Sequence, residues 1–220
     1  MKASKKNEKE QKIILAAESV FGQVGFTNAK MEDIAKEAGI TKVTLYSYFQ
    51  SKDNLQLAIT HKALTMLNSR YEQMISQNKA KNGLDSSIDM LNIFVELCKE
   101  NYLYSEALMS YFALIRSSAH GSNKEKLTEG IKESTYFRKV QEIQNQPFKY
   151  IINEINRGRA DGSIKTDIDP MLVTLAGWTA SIGYVKLLSA SGDHHQPLFN
   201  VDLGLLWKLH MENAMTALKK

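Results

Sequence analysis

The sequence predicts an all-α chain: a three-helix head that contains a helix-turn-helix, joined to a larger helical body. Three observations carry this. Apolar residues recur at three- and four-residue spacing in one segment after another. Within the stretch Gly25–Leu55, two short amphipathic segments meet at Ala38-Gly39. From Lys52 a far longer helical pattern runs to about Asn78 and ties the head to the body.

Composition bounds the reading without deciding it. A chain of 220 residues and 24.8 kDa can build one large domain, or a small one and a medium one, with a real core. The 28 basic and 24 acidic residues leave +4, and the pI is near 8.9; this suits nucleic acid but is also common on cytosolic proteins. The single cysteine, Cys98, excludes an internal disulfide and a thiolate zinc cluster, fits a reducing compartment, and reads as a small buried hydrophobe. The first dozen residues are polar and charged, unlike an export signal, which points to the cytoplasm. The longest apolar stretch, Met171–Val185, is shorter than a bilayer span and contains Thr174, Thr179 and Ser181, so a buried helix and no membrane are expected.

Taken in order, Met1–Lys6 carries Lys2, Lys5 and Lys6 with no apolar partner and is expected to be a mobile arm, serving solubility or touching a phosphate or minor groove. From Asn7 to Gln23, the stripe Ile13, Ala17, Val20, Phe21 and Val24 predicts a support helix that ends at Gly22 and Gly25. Met31, Ile34, Ala35 and Ala38 then define one helical face, with Gly39 where a left-handed turn residue is needed. Ile40 fills the corner, Thr41 suits an N-cap, and Leu45 with Phe49 gives the next helix its inward face. At 100° per residue the opposite face holds Lys42, Val43, Tyr46 and Ser47, with Thr44 and Tyr48 on its margins, as a major groove would see it. Taken alone, such a corner also occurs in ordinary helical hairpins.

The surrounding residues add more. A Gly25-Phe26 loop, Ile34-Ala35 leading to Ala38-Gly39, the run Thr44-Leu45-Tyr46-Ser47-Tyr48-Phe49, and Ser51-Lys52-Asp53-Asn54-Leu55 stand in fixed order. Together they closely resemble the N-terminal domain of the tetracycline-repressor (TetR) family of one-component regulators. The resemblance implies a DNA-binding domain over residues 1–53 with a basic N-terminal arm, and a helical effector-binding and dimerisation domain over 54–220. It also implies that Lys42, Val43, Thr44 and Tyr46 meet bases or the adjacent sugar-phosphate, while Thr41, Tyr48 and Lys52 hold phosphates. Two positions depart from the pattern. Ala29 stands where Thr or Ser often caps the first motif helix and touches phosphate, so Asn28 or Lys30 must substitute; Val43 replaces a smaller residue. By chemistry, Val43 suits a thymine methyl and Lys42 suits guanine O6 and N7. Lys52, at a helix start, also places free amides toward a phosphate.

Beyond the head, Asn82-Gly83 is a break. Leu84, Ile88, Leu91, Val95 and Cys98 mark the next helix, and Leu108, Tyr111, Phe112 and Ile115 another. The aromatic residues Tyr102, Tyr104, Tyr111 and Phe112 either line a ligand pocket or form plain core. Ser117–Asn123 reads as a surface loop, and Lys124–Gln144 as a charged, weakly periodic helix. Pro147 opens a helix through Phe148, Ile151, Ile152 and Ile155 that stops near Asp161-Gly162. Asp169 and Pro170 cap and start the following helix, whose Ala176, Ala180, Gly183 and Leu187 form a stripe open to close helix approach. After a polar loop from Ser189 to Pro197, Leu203, Leu206, Trp207, His210, Ala214 and Leu218 spell the last helix.

The two terminal helices suggest a four-helix homodimer interface through Ala176, Ala180, Gly183, Leu187, Leu203, Trp207, His210 and Ala214, the alternative being a monomer that folds them inward. Tyr111, Phe112, Phe148 and Trp178 are the candidate pocket walls for a largely apolar effector. The sequence shows no zinc-protease, phosphate-loop, dinucleotide or serine-elbow motif, and Asp193-His194-His195 reads as a solvated loop, so no enzyme, cofactor or metal site is expected. The resulting expectation is a homodimeric repressor that binds a palindromic double-stranded operator and releases it on binding a small molecule. The competing one is a cytosolic helical binding or enzymatic protein that keeps its head unused on DNA.

Overall fold

The computed structural model describes residues 2–119, 127–191 and 201–220, with side chains from residue 5 and, in the first stretch, up to residue 115. Among the described residues the chain is helical with no strand: α1 (Lys2–Asn28), α2 (Met31–Glu37), α3 (Lys42–Tyr48), α4 (Lys52–Gln77), α5 (Gly83–Glu100), α6 (Leu103–Ala119), α7 (Glu129–Lys132), α8 (Thr135–Ile143), α9 (Gln146–Ala160), α10 (Pro170–Ala190) and α11 (Leu203–Leu218). By packing it divides into two units, one of residues 1–64 with 103–143, the other of 65–102 with 144–220.

In the first unit, Ile13, Ile14, Ala17 and Phe21 of α1 are buried with Ile34, Ala35, Leu45, Phe49, Leu55 and Ile59 in one apolar core. The sharp bend between α2 and α3 follows from Gly39. Its φ of 65° lies in the left-handed region, and the Ile40 N–H donates to Ala35 O at 3.0 Å while the Gly39 N–H donates to Lys36 O at 3.0 Å. That pair of bonds satisfies carbonyls the helix end would otherwise leave open. α1 is itself interrupted at Gly25, with φ 76° and ψ 159°, and the rings of Phe21 and Phe26 meet across the break at 5.2 Å. The lysine-rich start expected to be a mobile arm is helical from Lys2, and Val24, expected in the buried stripe, is exposed one residue before the break.

The charged segment before Gln144 forms two short helices, α7 and α8, because Ser134 carries the chain out of one helical turn before Thr135 begins the next. α6 continues to Ala119 and α10 to Ala190, taking in residues expected in loops. Ser191 caps α10 in a turn, and the rest of both polar loops, including Asp193-His194-His195, lies outside the described residues.

In the second unit, α5 and α9 cross almost backbone to backbone. A Cβ on Gly83 would lie 2.1 Å from the Gly158 nitrogen, so the crossing requires glycine. Asn82 caps α5 by accepting from the Asp85 N–H at 2.8 Å, and Asp161 and Ser163 accept from the N–H groups of Gly83 and Leu84. Arg157 donates to Lys81 O and the Ser86 hydroxyl and pairs with the buried Glu154. Asp169 caps α10 through the N–H groups of Met171 and Leu172.

Cys98 is fully buried, and burial pushes its thiol up to about 12, so it acts as a hydrophobe. α10 departs from expectation: at 21 residues it is long and apolar enough to cross a membrane by length and composition, and only 28% of its most apolar window is buried. Leu172, Leu175 and Leu187 are exposed where a buried helix was expected.

Candidate nucleic-acid interface

The recognition-type helix α3 is only seven residues long, and its orientation comes from two buried side chains, Leu45 and Phe49. The Thr41 hydroxyl accepts from the Thr44 N–H at 3.2 Å, capping the helix. With the inward side fixed, Val43 stands 82% exposed and Tyr46 41% exposed, and Lys42 and Ser47 are exposed beside them. Val43 thus presents its branched apolar side chain to solvent on the same face as Lys42, Tyr46 and Ser47. Thr44 and Tyr48 are half-buried at the margins.

Two lysines have partners that sequence reasoning missed. Lys42 is ion-paired with Glu32 in the first turn of α2, and its ammonium also lies 5.9 Å from the Tyr46 ring centre. The hydrogen bond from Lys42 holds the Glu32 carboxyl below its usual range, and the same bond raises Lys42. The Lys52 ammonium donates to Phe26 O at 2.9 Å and Thr27 O at 3.0 Å and lies over the Phe26 ring. Lys52 therefore ties the start of α4 to the end of α1. Lys30 is exposed at the N-cap of α2 and makes no side-chain cap; with Ala29 buried beside it, no hydroxyl closes that helix end.

A third feature lay outside local pattern. The Tyr136 hydroxyl of α8 donates to Glu10 of α1 at 2.6 Å, while its ring stacks on Phe49 at 5.9 Å and meets His61 edge-on. Burial and Glu10 both push the Tyr136 phenol up, so it stays protonated and keeps donating. One tyrosine thus holds α8 against both the support helix and the end of α3. Its contact with Glu10 spans 126 positions, and no spacing rule could have found it.

The four aromatic residues expected as pocket walls fall two and two. Tyr111 and Phe112 meet edge-on at 5.7 Å in the first unit, and Phe148 and Trp178 meet at 5.6 Å in the second. Tyr111 borders a mixed cleft of about 600 Å³ with Phe26, Asp53, Leu57, Thr60 and Ile131. The second unit holds an almost wholly apolar cleft of about 340 Å³. Its walls are aliphatic: Ile88 and Leu91 of α5, Ile151 and Ile155 of α9, Leu172 and Val173 of α10, and Leu218 of α11. Ala176, His210 and Ala214, expected at a dimer interface, also line it.

On the other expected interface residues, Ala176, Gly183 and Leu187 are exposed on α10 and Ala180 is half-buried. Trp207 is engaged within its own unit: its Nε1–H donates to Asn92 at 2.8 Å, and its ring stacks on Tyr184 and His210. Leu203 and Ala214 are half-buried, and the open side of α11 is instead Leu205, Leu206 and Leu209.

A short helix presented outward on a three-helix head, preceded by a glycine-hinged turn, is the architecture of a helix-turn-helix DNA-binding protein. Residues 13–59 match the family described as bacterial regulatory proteins, tetR family, so the head of this chain is a TetR-family domain. A curated relative, the uncharacterized HTH-type transcriptional regulator YdgC of Bacillus subtilis, is 35% identical over 83 residues, 38% of this chain and 40% of YdgC. The chain thus spans less than half the length of that relative. Over the whole chain the fold is shared with solved regulators. The ketosteroid transcriptional regulator KstR2 of Mycobacterium tuberculosis superposes with a TM-score of 0.68 at 17% identity, covering 96% of this chain and 95% of KstR2. The transcriptional regulator FadR of Bacillus subtilis, solved in complex with stearoyl-CoA, gives 0.66 at 17% identity, covering 94% of this chain and 98% of FadR.

Proposed function

We propose that this chain is a homodimeric, ligand-responsive transcriptional regulator of the TetR type, a cytoplasmic repressor without enzymatic activity. In this reading residues 1–53 bind a palindromic operator, and residues 54–220 bind the effector and the second copy. The observation that carries it is the exposed face of α3, Lys42, Val43, Tyr46 and Ser47, raised on the buried Leu45 and Phe49 inside the segment that matches the family. Lys42, Val43, Thr44 and Tyr46 read base edges, Thr41, Tyr48 and Lys30 approach phosphates, and Lys52 acts mainly by positioning the end of α1.

The apolar cleft of the second unit supports a largely apolar effector, with Ser87, Thr174, His210 and Asn213 as its few polar lining groups. The exposed leucines of α10 and α11 support a second copy as the partner that covers them. Release of DNA requires that effector and DNA prefer different arrangements of the protein; a hundredfold loss of operator affinity corresponds to about 2.7 kcal/mol of coupling, felt equally by the ligand. The unbroken helix α4 (Lys52–Gln77) is the element through which that preference would act.

The test has two steps. A duplex enriched from a random pool is titrated with the protein across salt, where steep weakening is expected. A thermal-shift screen of apolar metabolites then supplies hits, each titrated with and without that duplex. Hits whose affinity ignores DNA would refute the switch, and a protein that binds no duplex would refute the regulator.

A further inference from the structure

Resting on the DNA-binding reading, we propose that the DNA contact extends beyond the helix-turn-helix onto α1. There Lys5, Lys6, Lys9 and Lys12, with Tyr48 of α3, form a groove that takes the phosphodiester backbone beside the reading helix.

The geometry is simple. Lys5, Lys9 and Lys12 are spaced four and three residues apart, so they lie along one face of α1, with Lys6 beside them, and all four are exposed. The groove they line presents four ammonium groups against one carboxylate, Glu8. The other nearby acid of α1, Glu10, is occupied by the Tyr136 hydroxyl. Four of the chain's 28 basic residues thus line one groove, a local excess of positive charge suited to an anionic partner.

The groove also continues the reading surface. Tyr48, in the last turn of α3, is one of its walls. At its other end the Lys12 ammonium lies 3.9 Å from where a Cβ on Gly39 would be, beside the bend between α2 and α3. From Lys5 to Lys12 the helix rises about 10 Å, enough to follow two or three phosphates of one strand.

The lysines differ in availability. Lys42 is held by Glu32 and Lys52 by two carbonyls, whereas no ion pair engages Lys5, Lys6, Lys9 or Lys12 among the described residues. A lysine that gives up no internal ion pair neutralises a phosphate without that cost, and neutralisation is what releases the DNA's condensed counterions.

The full-length protein and the variant Lys5→Gln/Lys9→Gln/Lys12→Gln are titrated by fluorescence anisotropy on a random-sequence duplex and on a pool-selected duplex, over a range of salt. The variant is expected to weaken on both duplexes equally. Its slope of log K against log salt should be shallower by ~2–3, at about 0.9 for each phosphate that is no longer neutralised. Lys9→Gln alone should shift the slope by about 0.9, and the matching Lys→Arg triple should restore it. Equal slopes for variant and wild type, with steep wild-type binding, overturn the groove and leave the DNA-binding reading standing. Wild-type protein that binds neither duplex at any salt overturns both.

Discussion

The head and the α10–α11 pair solve the same packing problem in opposite ways. In the head, Leu45, Phe49, Ile34 and Ile13 are all buried, and apart from Val43 the outward face of α3 is polar or amphipathic. In α10 and α11, leucines face both ways: Leu188 and Leu218 are buried, while Leu205, Leu172 and Leu209 stand 63%, 60% and 54% exposed. A region that has buried its apolar surface offers the outside a polar face, suited to an ionic partner that comes and goes. A region that leaves several leucines open presents an apolar surface, and the complement of such a surface is apolar.

The sharpest way to break the contrast is to spoil the head from within. Leu45→Ala removes a fully buried side chain and should cost ~2–5 kcal/mol, seen as a large drop in the chemical-denaturation midpoint. An unchanged midpoint would mean that α3 is not anchored by its inward face. In the other region, Leu205→Glu with Leu209→Glu should leave single-chain stability within about 0.5 kcal/mol, because both side chains are already in water. Sedimentation equilibrium should nonetheless shift from dimer to monomer; retention of the dimer would exclude this surface.

Smaller effects refine the picture of the head. Thr41→Ala removes the cap of α3 and should cost ~1 kcal/mol of stability, measured by thermal melting. The change should weaken DNA binding on every sequence alike, and loss at single base pairs would instead make Thr41 a reader. Glu32→Gln should leave stability almost untouched, since exposed pairs contribute little. Freed from its partner, Lys42 should then raise affinity for random duplex a few-fold and lower discrimination, an outcome read from paired anisotropy titrations. Unchanged discrimination would show that the pair does not restrain the reading face.

How much was legible in the sequence depends on the range over which each cause acts. Gly39, the Thr41 cap and the three-and-four spacing of Met31, Ile34 and Ala38 act within a few residues, so the bend and the outward face of α3 could be read directly. Asp169-Pro170 at the start of α10 was readable for the same reason. The Glu32–Lys42 pair joins side chains 10 residues apart across a bend, and Arg157 reaches Ser86 across 71 positions; such partners are chosen by packing, which leaves no periodic trace. The aromatic residues were ambiguous because size and flatness serve a core as well as a pocket: Tyr111 borders the mixed cleft, while Phe148 and Trp178 pack on each other. The apolar cleft is walled instead by Ile and Leu, which spacing alone cannot tell from ordinary core. Trp207 reads from its helical stripe as an interface residue, and the stripe gives no sign of the contacts with Asn92 and Tyr184 that hold its ring inside its own unit.

The clamp formed by Lys52 has a mechanical consequence. Its ammonium grips two successive carbonyls at the end of α1, so the first turn of α4 and the elbow at Gly25 are joined by a strut. Hydrogen bonds of this kind are lost beyond about 3.2 Å, so bonds of 2.9 and 3.0 Å have little slack. A rotation of α4 that the flexible lysine stem does not absorb either carries the elbow along as a crank or breaks the clamp. The left-handed glycine at the elbow is the bearing on which the first of these motions can turn.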